Sequence, residues 1–131
     1  MRYMAELYKR QLFGTDGIRG VAGGYPFVPD LVEKLGYAAG KVITKYYADK
    51  YPQRMISPEN RQFLIARDTR SSGETIAQWL SNGFTAAGVK VVDLEIFPTP
   101  GVARLTQARK VLGSAVISAS HNAAKYNGIK F

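Results

Sequence analysis

No cysteine occurs among the 131 residues. That absence excludes disulfides, thiolate nucleophiles and zinc–thiolate centres together, and it fits a reducing cytoplasm. Apolar runs are short, and none approaches the ~18–20 residues that span a bilayer. Residues 1–12 mix charges with single apolar side chains and lack the core of a signal peptide. A membrane partner is therefore not expected. Histidine occurs once, at His121, and no Asp-x-Asp pair is present to hold a divalent cation. Long basic runs are missing too. Eighteen basic residues against ten acidic ones give a net charge of +8, yet the longest basic runs are the pairs Lys9-Arg10 and Arg109-Lys110. Such a charge attracts anions. With no basic helix, RNA-binding aromatic signature or zinc finger, nucleic acid is not the expected partner. A phosphorylated small molecule fits the charge.

What is present is enough for one domain with a real core: hydrophobic residues make up 46% of the chain. A short strand around Gln11-Leu12-Phe13 is expected to lead into a glycine loop. Asp30 reads as the N-cap of a helix whose apolar stripe is Leu31, Val32, Leu35, Ala38, Ala39, Val42, Ile43, Tyr46 and Tyr47. Residues 49–61 read as an exposed loop. Phe63 to Ala66 is a strand. A helix follows, with Ser71 and Glu74 at capping-box spacing and Ile76, Leu80 and Phe84 one turn apart. Val89 to Val92 is the next strand. Thr99 caps a short helix with Pro100 at its first position. Ala115 to Ile117 is a buried strand, and Gly128 to Phe131 begins another, which is expected to continue into a longer chain. Alternating strands and helices predict an α/β fold, a three-layer α/β/α domain with a mostly parallel, mixed sheet. Ligands gather at the carboxyl ends of the strands in such sheets.

Two segments carry chemistry. Ser118-Ala119-Ser120-His121-Asn122 follows the strand 115–117 and presents a hydroxyl beside the one histidine, with Lys125, Asn127, Gly128 and Lys130 close behind. A triad on Ser120 and His121 is disfavoured, because adjacent side chains near a strand point apart. A phosphate on Ser120 would suit the surrounding donors and cations. The alternative is an ordinary turn in which Ser and Asn satisfy backbone groups. The second segment, Phe13-Gly14-Thr15-Asp16-Gly17-Ile18-Arg19-Gly20, allows close backbone approach and offers the Arg19 guanidinium to phosphate oxygens. It lacks the Gly-Lys-Ser/Thr of a nucleotide P-loop. The Arg67-Asp68-Thr69-Arg70 turn reads either as an anion site or as Asp68 paired with Arg70 or capping the next helix.

Taken in order, the 13–20 loop, Arg67 to Arg70 with Ser72-Gly73, Pro98-Thr99-Pro100, Ile117 to Asn122, and Asn127-Gly128-Ile129-Lys130 resemble the N-terminal domain of the α-D-phosphohexomutases over nearly the whole chain. The forms Gly-Thr-Asp-Gly-Ile-Arg-Gly and Ser-Ala-Ser-His-Asn are most similar to the bacterial branch that acts on glucosamine phosphate. The resemblance implies an isomerase of carbohydrate metabolism whose phosphorylated Ser120 passes its phosphoryl group to a hexose phosphate. A hexose 1,6-bisphosphate is then the intermediate and activator, and the phosphate moves between C6 and C1. It further implies that Arg19 contacts phosphate, that Lys130 serves proton transfer or charge balance, and that His121 and Asn122 shape the phosphoserine turn. Thr15 would lie near the phosphate, and Mg²⁺ would bind a phosphoserine oxygen of Ser120. The metal's carboxylates, the sugar-selecting loop and a final phosphate loop belong to three further domains, so residues 1–131 alone are expected to be inactive. Ala123 stands where the family usually has proline, which implies a looser loop. Ala66 stands where glycine is common.

Overall fold

The computed structural model describes residues 12–14, 16–52 and 61–131. Its elements are β1 (Ile18–Val21), α1 (Pro29–Lys50), β2 (Gln62–Arg67), α2 (Gly73–Ala86), β3 (Lys90–Ile96), α3 (Thr99–Arg109), β4 (Gly113–Ile117) and β5 (Tyr126–Lys130). The strands form one sheet in the order β1-β5-β4-β2-β3. β2 pairs in parallel with β3 and β4, whereas β5 pairs antiparallel with both β4 and β1. Four strands thus run one way and β5 alone runs against them, which makes the sheet mixed but mostly parallel.

Both faces of the sheet are covered. On one side, Ile18, Phe63, Ile65, Ala115, Ile117 and Ile129 meet Val32 of α1 and Ile76, Leu80 and Phe84 of α2. Phe63 and Phe84 stack with ring centroids 4.1 Å apart. On the other side, Val102 of α3 packs on Ala66 and Val116, flanked by Leu94 and Phe97. Coverage on both faces explains why β2 is almost wholly apolar. Each fully buried large side chain contributes about 1.5–3 kcal/mol. Ala66 is fully buried in the layer under α3, so its methyl group is part of the packing.

The stripe expected on α1 is narrower than its apolar residues suggest. Val42 and Tyr46 are 70% and 51% exposed, and Ala38 also faces outward. The packed face instead runs through Val32, Leu35, Gly36, Ala39, Gly40, Ile43 and Tyr47. Its glycines are there for close approach: a methyl group on Gly83 of α2 would stand 2.7 Å from the backbone nitrogen of Tyr37. Helix boundaries also differ from expectation. The N-cap of α1 is Val28 rather than Asp30, which lies in the first turn. That of α2 is Ser72, with no side-chain cap, and that of α3 is Pro98 rather than Thr99. Of the loop expected at 49–61, Asp49 and Lys50 complete α1, and 53–60 lie outside the described residues. No described helix is long and apolar enough to cross a membrane.

Candidate active site

The sheet order decides what meets the serine turn. β4 ends at Ile117, and its neighbours β2 and β5 bring Arg67-Asp68-Thr69-Arg70 and Asn127 to Lys130 alongside it. The amide of Ser118 donates to the Gly128 carbonyl at 2.9 Å, so the ladder continues one residue past the strand. Ala119 is fully buried and anchors the turn, while Ser120, His121 and Asn122 are exposed. Ser120 adopts φ of 55°, the left-handed region. An L-residue pays roughly 1–2 kcal/mol there, and such conformations persist where the surroundings over-determine them.

Those surroundings hold Ser120 at three points. Its amide donates to Ser118 Oγ at 3.1 Å. Its carbonyl accepts from Arg70 Nη2 at 2.9 Å. Its Oγ accepts from Lys130 Nζ at 2.8 Å. The Arg70 guanidinium also donates to the carbonyls of Asn122 at 2.9 Å, Ala123 at 2.7 Å and Tyr126 at 3.2 Å. Its Nε bonds Asp68 Oδ2 at 3.0 Å, and its backbone amide bonds Asp68 Oδ1 at 3.0 Å. Burial alone would push the Asp68 carboxyl up. Hydrogen bonds from Ser118 and from the Arg70 amide and guanidinium, with the Arg70 charge, outweigh it and hold the group below the ordinary carboxylate value. Asp68 therefore pairs with Arg70, one of the three readings its turn allowed. Ala123 takes part through its carbonyl, a group that proline also offers.

The second segment arrives through β1. The strand follows the glycine loop instead of preceding it: Ile18 pairs with Ile129, and Arg19 with Gly128. A leading strand was expected around Gln11-Leu12-Phe13; Leu12 and Phe13 are not in a strand, and residue 11 lies outside the described residues. Gly17 has φ of 90°, and a methyl group on it would collide with the Ile129 carbonyl oxygen. Only glycine fits this approach. The Arg19 guanidinium lies 2.7 Å from Asp16 Oδ2, and Lys130 Nζ lies 3.5 Å from the same oxygen. Arg19 and Ser120 are thus joined through one carboxylate and one ammonium, and the Arg19 and Lys130 side chains are 37% and 25% exposed. Two cations against one carboxylate leave the cluster suited to an anion.

Asn127 is fully buried. Its amide nitrogen donates to Ser72 Oγ at 2.8 Å, and its Oδ1 accepts from the Gly128 amide at 2.9 Å. The His121 and Asn122 side chains make no hydrogen bond among the described residues, although the Asn122 amide donates to Ala119 O at 3.1 Å. Thr15 lies outside the described residues. Sequence reasoning brought Ser120, Lys130 and Arg19 forward, gave Asp16 and Ser118 no role of their own, and named Arg70 only as part of an anion-site turn or as a partner of Asp68. The signal for Arg70 was an arginine in a turn directly after a strand; its carbonyl partners, 50 to 56 residues away, depend on β2 lying beside β4.

Residues 10–131 match the family model described as phosphoglucomutase/phosphomannomutase, alpha/beta/alpha domain I. A phosphoglucosamine mutase from Polynucleobacter asymbioticus is 51% identical over 123 residues, 94% of this chain and 26% of the relative. One from Neisseria meningitidis is 49% identical over 122 residues, 93% of this chain and 26% of the relative. A crystal structure of a phosphoglucomutase/phosphomannomutase family protein from Burkholderia thailandensis superposes with a TM-score of 0.70 at 30% identity, covering 90% of this chain and 25% of that one. The chain spans about a quarter of the length of these relatives. It belongs to the phosphoglucomutase/phosphomannomutase family, matches that family's domain I, and is close to phosphoglucosamine mutases.

Proposed function

We propose that this chain is the phosphate-carrying domain of a cytoplasmic phosphohexomutase that interconverts glucosamine 6-phosphate and glucosamine 1-phosphate. The observation that carries the reading is Ser120 Oγ, exposed on a strained turn and 2.8 Å from the Lys130 ammonium. In the first half-reaction the bond between phosphorus and Ser120 Oγ breaks, and one forms to the free hydroxyl oxygen of the sugar phosphate. Lys130 gives a proton to the departing Oγ and takes the one lost by the sugar hydroxyl. The hexose bisphosphate turns over, and its other phosphate returns to Ser120 by the reverse proton path. Arg19 presents its fork to phosphate oxygens, and preorganised positive charge stabilises the transferring group. His121 and Asn122 shape the phosphoserine turn and Thr15 serves the phosphate from the glycine loop, as the resemblance implies.

Magnesium is the cation such a phosphoserine would use. Among the described residues there is no group of three or more carboxylate or imidazole side chains to hold it. These residues do not by themselves fit a metal site. The chain's share would be a phosphate oxygen on Ser120, and the other ligands would come from further domains of the full-length protein. The relatives at 49–51% identity favour glucosamine as the sugar. A glucose or mannose phosphate is the second reading, favoured by the solved family protein at 30%.

Intact-mass measurement of the full-length protein, with and without hexose 1,6-bisphosphate, tests the proposal. One phosphate adduct, lost in Ser120→Ala, is expected, together with turnover of glucosamine 6-phosphate in preference to the glucose and mannose esters. An unmodified serine and no mutase activity would point instead to a phosphate-binding module that kept the fold.

A further inference from the structure

Ser120 is a left-handed residue on an exposed turn, and within its own sequence neighbourhood it is held by one hydrogen bond, from its amide to Ser118 Oγ. What over-determines it comes from another strand. The Arg70 side chain is only 10% exposed and spends all three guanidinium nitrogens on the protein itself. Four carbonyls of the 120–126 loop, Ser120, Asn122, Ala123 and Tyr126, converge on its two terminal nitrogens. Asp68 fixes its Nε, and through Ser118 the same carboxylate reaches the Ser120 amide. A planar fork can gather several carbonyls in one geometry; the single ammonium of a lysine cannot.

We infer that Arg70 is a positioning residue for phosphoryl transfer: it bundles the carbonyls of the 120–126 loop so that Ser120 Oγ stands at Lys130, and it does not bind the phosphate itself. The inference rests on the phosphoserine reading above. An arginine that served the anion would present its fork to the site. Here the fork is turned into the loop, while Arg19 and Lys130 are the cations beside Asp16. Holding reacting groups in place is itself worth large factors in rate, and a misplacement of about 1 Å costs on the order of 10²-fold.

The test uses the full-length enzyme with Arg70→Lys, which keeps the charge, and Arg70→Gly, which leaves room for added guanidinium ion. In both variants kcat should fall about 10²-fold while KM for the hexose phosphate stays within about threefold, since no substrate contact is lost. Amide exchange should speed up in residues 118–127 and stay unchanged in α1 and α2. Guanidinium should restore part of kcat to Arg70→Gly. Ser118→Ala supplies a second route: it loosens the same serine, so its loss should combine with that of Arg70→Lys less than multiplicatively. Four outcomes overturn the inference alone: full activity in Arg70→Lys, a rise in KM with kcat intact, faster exchange across the whole chain, or multiplicative losses in the double variant. An unmutated enzyme that carries no phosphate on Ser120 and turns over no sugar phosphate overturns the phosphoserine reading, and this inference with it.

Discussion

Lys130 Nζ donates a hydrogen bond to Ser120 Oγ over 2.8 Å, although Ser120 lies early in the β4–β5 connection and Lys130 at the far end of β5. Strand β5 returns antiparallel to β4 in the register Val116↔Lys130, and the long lysine side chain spans the remaining gap.

Replacing that ammonium should be costly. In the full-length enzyme, Lys130→Met should lower kcat by about 10²–10⁴-fold, the range for a lost proton-transfer group. The phosphate on Ser120 should persist, because its transfer is slowed. Rapid-quench single-turnover kinetics with the phosphorylated variant measures this, and a transfer rate within about threefold of the parent would remove Lys130 from the chemistry.

Asp68 links the site to acid stability. Its carboxyl is held below the ordinary value, which is about 3.9. A depressed pKa means that the folded state binds the proton less readily than the unfolded state. The stabilisation is therefore present above about pH 3.9 and is lost as pH falls through the lower folded value. Urea midpoints of the parent and Asp68→Asn should differ at neutral pH and converge on acidification. A gap independent of pH would contradict the assignment.

The α1–α2 crossing predicts a contrast between two glycines. Gly83→Ala would drive a methyl group into the backbone of α1 around Tyr37 and should cost about 1–3 kcal/mol, even after the ~1 kcal/mol gained in helix propensity. Gly88→Ala meets no atom within 4 Å but has φ of 83°, so its cost is conformational alone, about 1–2 kcal/mol. Denaturant unfolding of both variants checks the order.

Lys110 ends α3 in the left-handed region, at φ 52° and ψ 39°. Glycine adopts that conformation without the side-chain penalty. Lys110→Gly should raise stability by about 0.5–1 kcal/mol. An unchanged or lower midpoint in thermal unfolding would show that the lysine has a compensating contact.

Much of this was legible in the chain. Ala115-Val116-Ile117 and Phe63 to Ala66 read as strands because both faces are buried, and α2 showed its period through Ile76, Leu80 and Phe84. The stripe of α1 misled at Val42 and Tyr46, because the face that packs is built partly from Gly36 and Gly40, which carry no apolar signal. β1 was hidden for a similar reason: Ile18-Arg19-Gly20-Val21 has alternate burial but reads as part of a glycine loop. At the site, residue types announced Ser120 and Lys130. The Arg70 clamp stayed invisible because backbone carbonyls have no residue identity, and only the placing of β2 against β4 brings them within reach.

One feature of the sheet sets an order of events. Among the described residues β1 pairs with the rest of the sheet only through β5, so Ile18 has to wait for Ile129. Pairings this remote in sequence are slow to close. β2, β3 and β4 are joined by their own parallel pairings and can associate without β1. Arg19 and the serine turn then come together as β5 slides between β4 and β1. The anion site thus closes with the same long-range pairing that brings Ile18 and Ile129 into the core, so the chemistry and the last part of the hydrophobic centre are completed by one event.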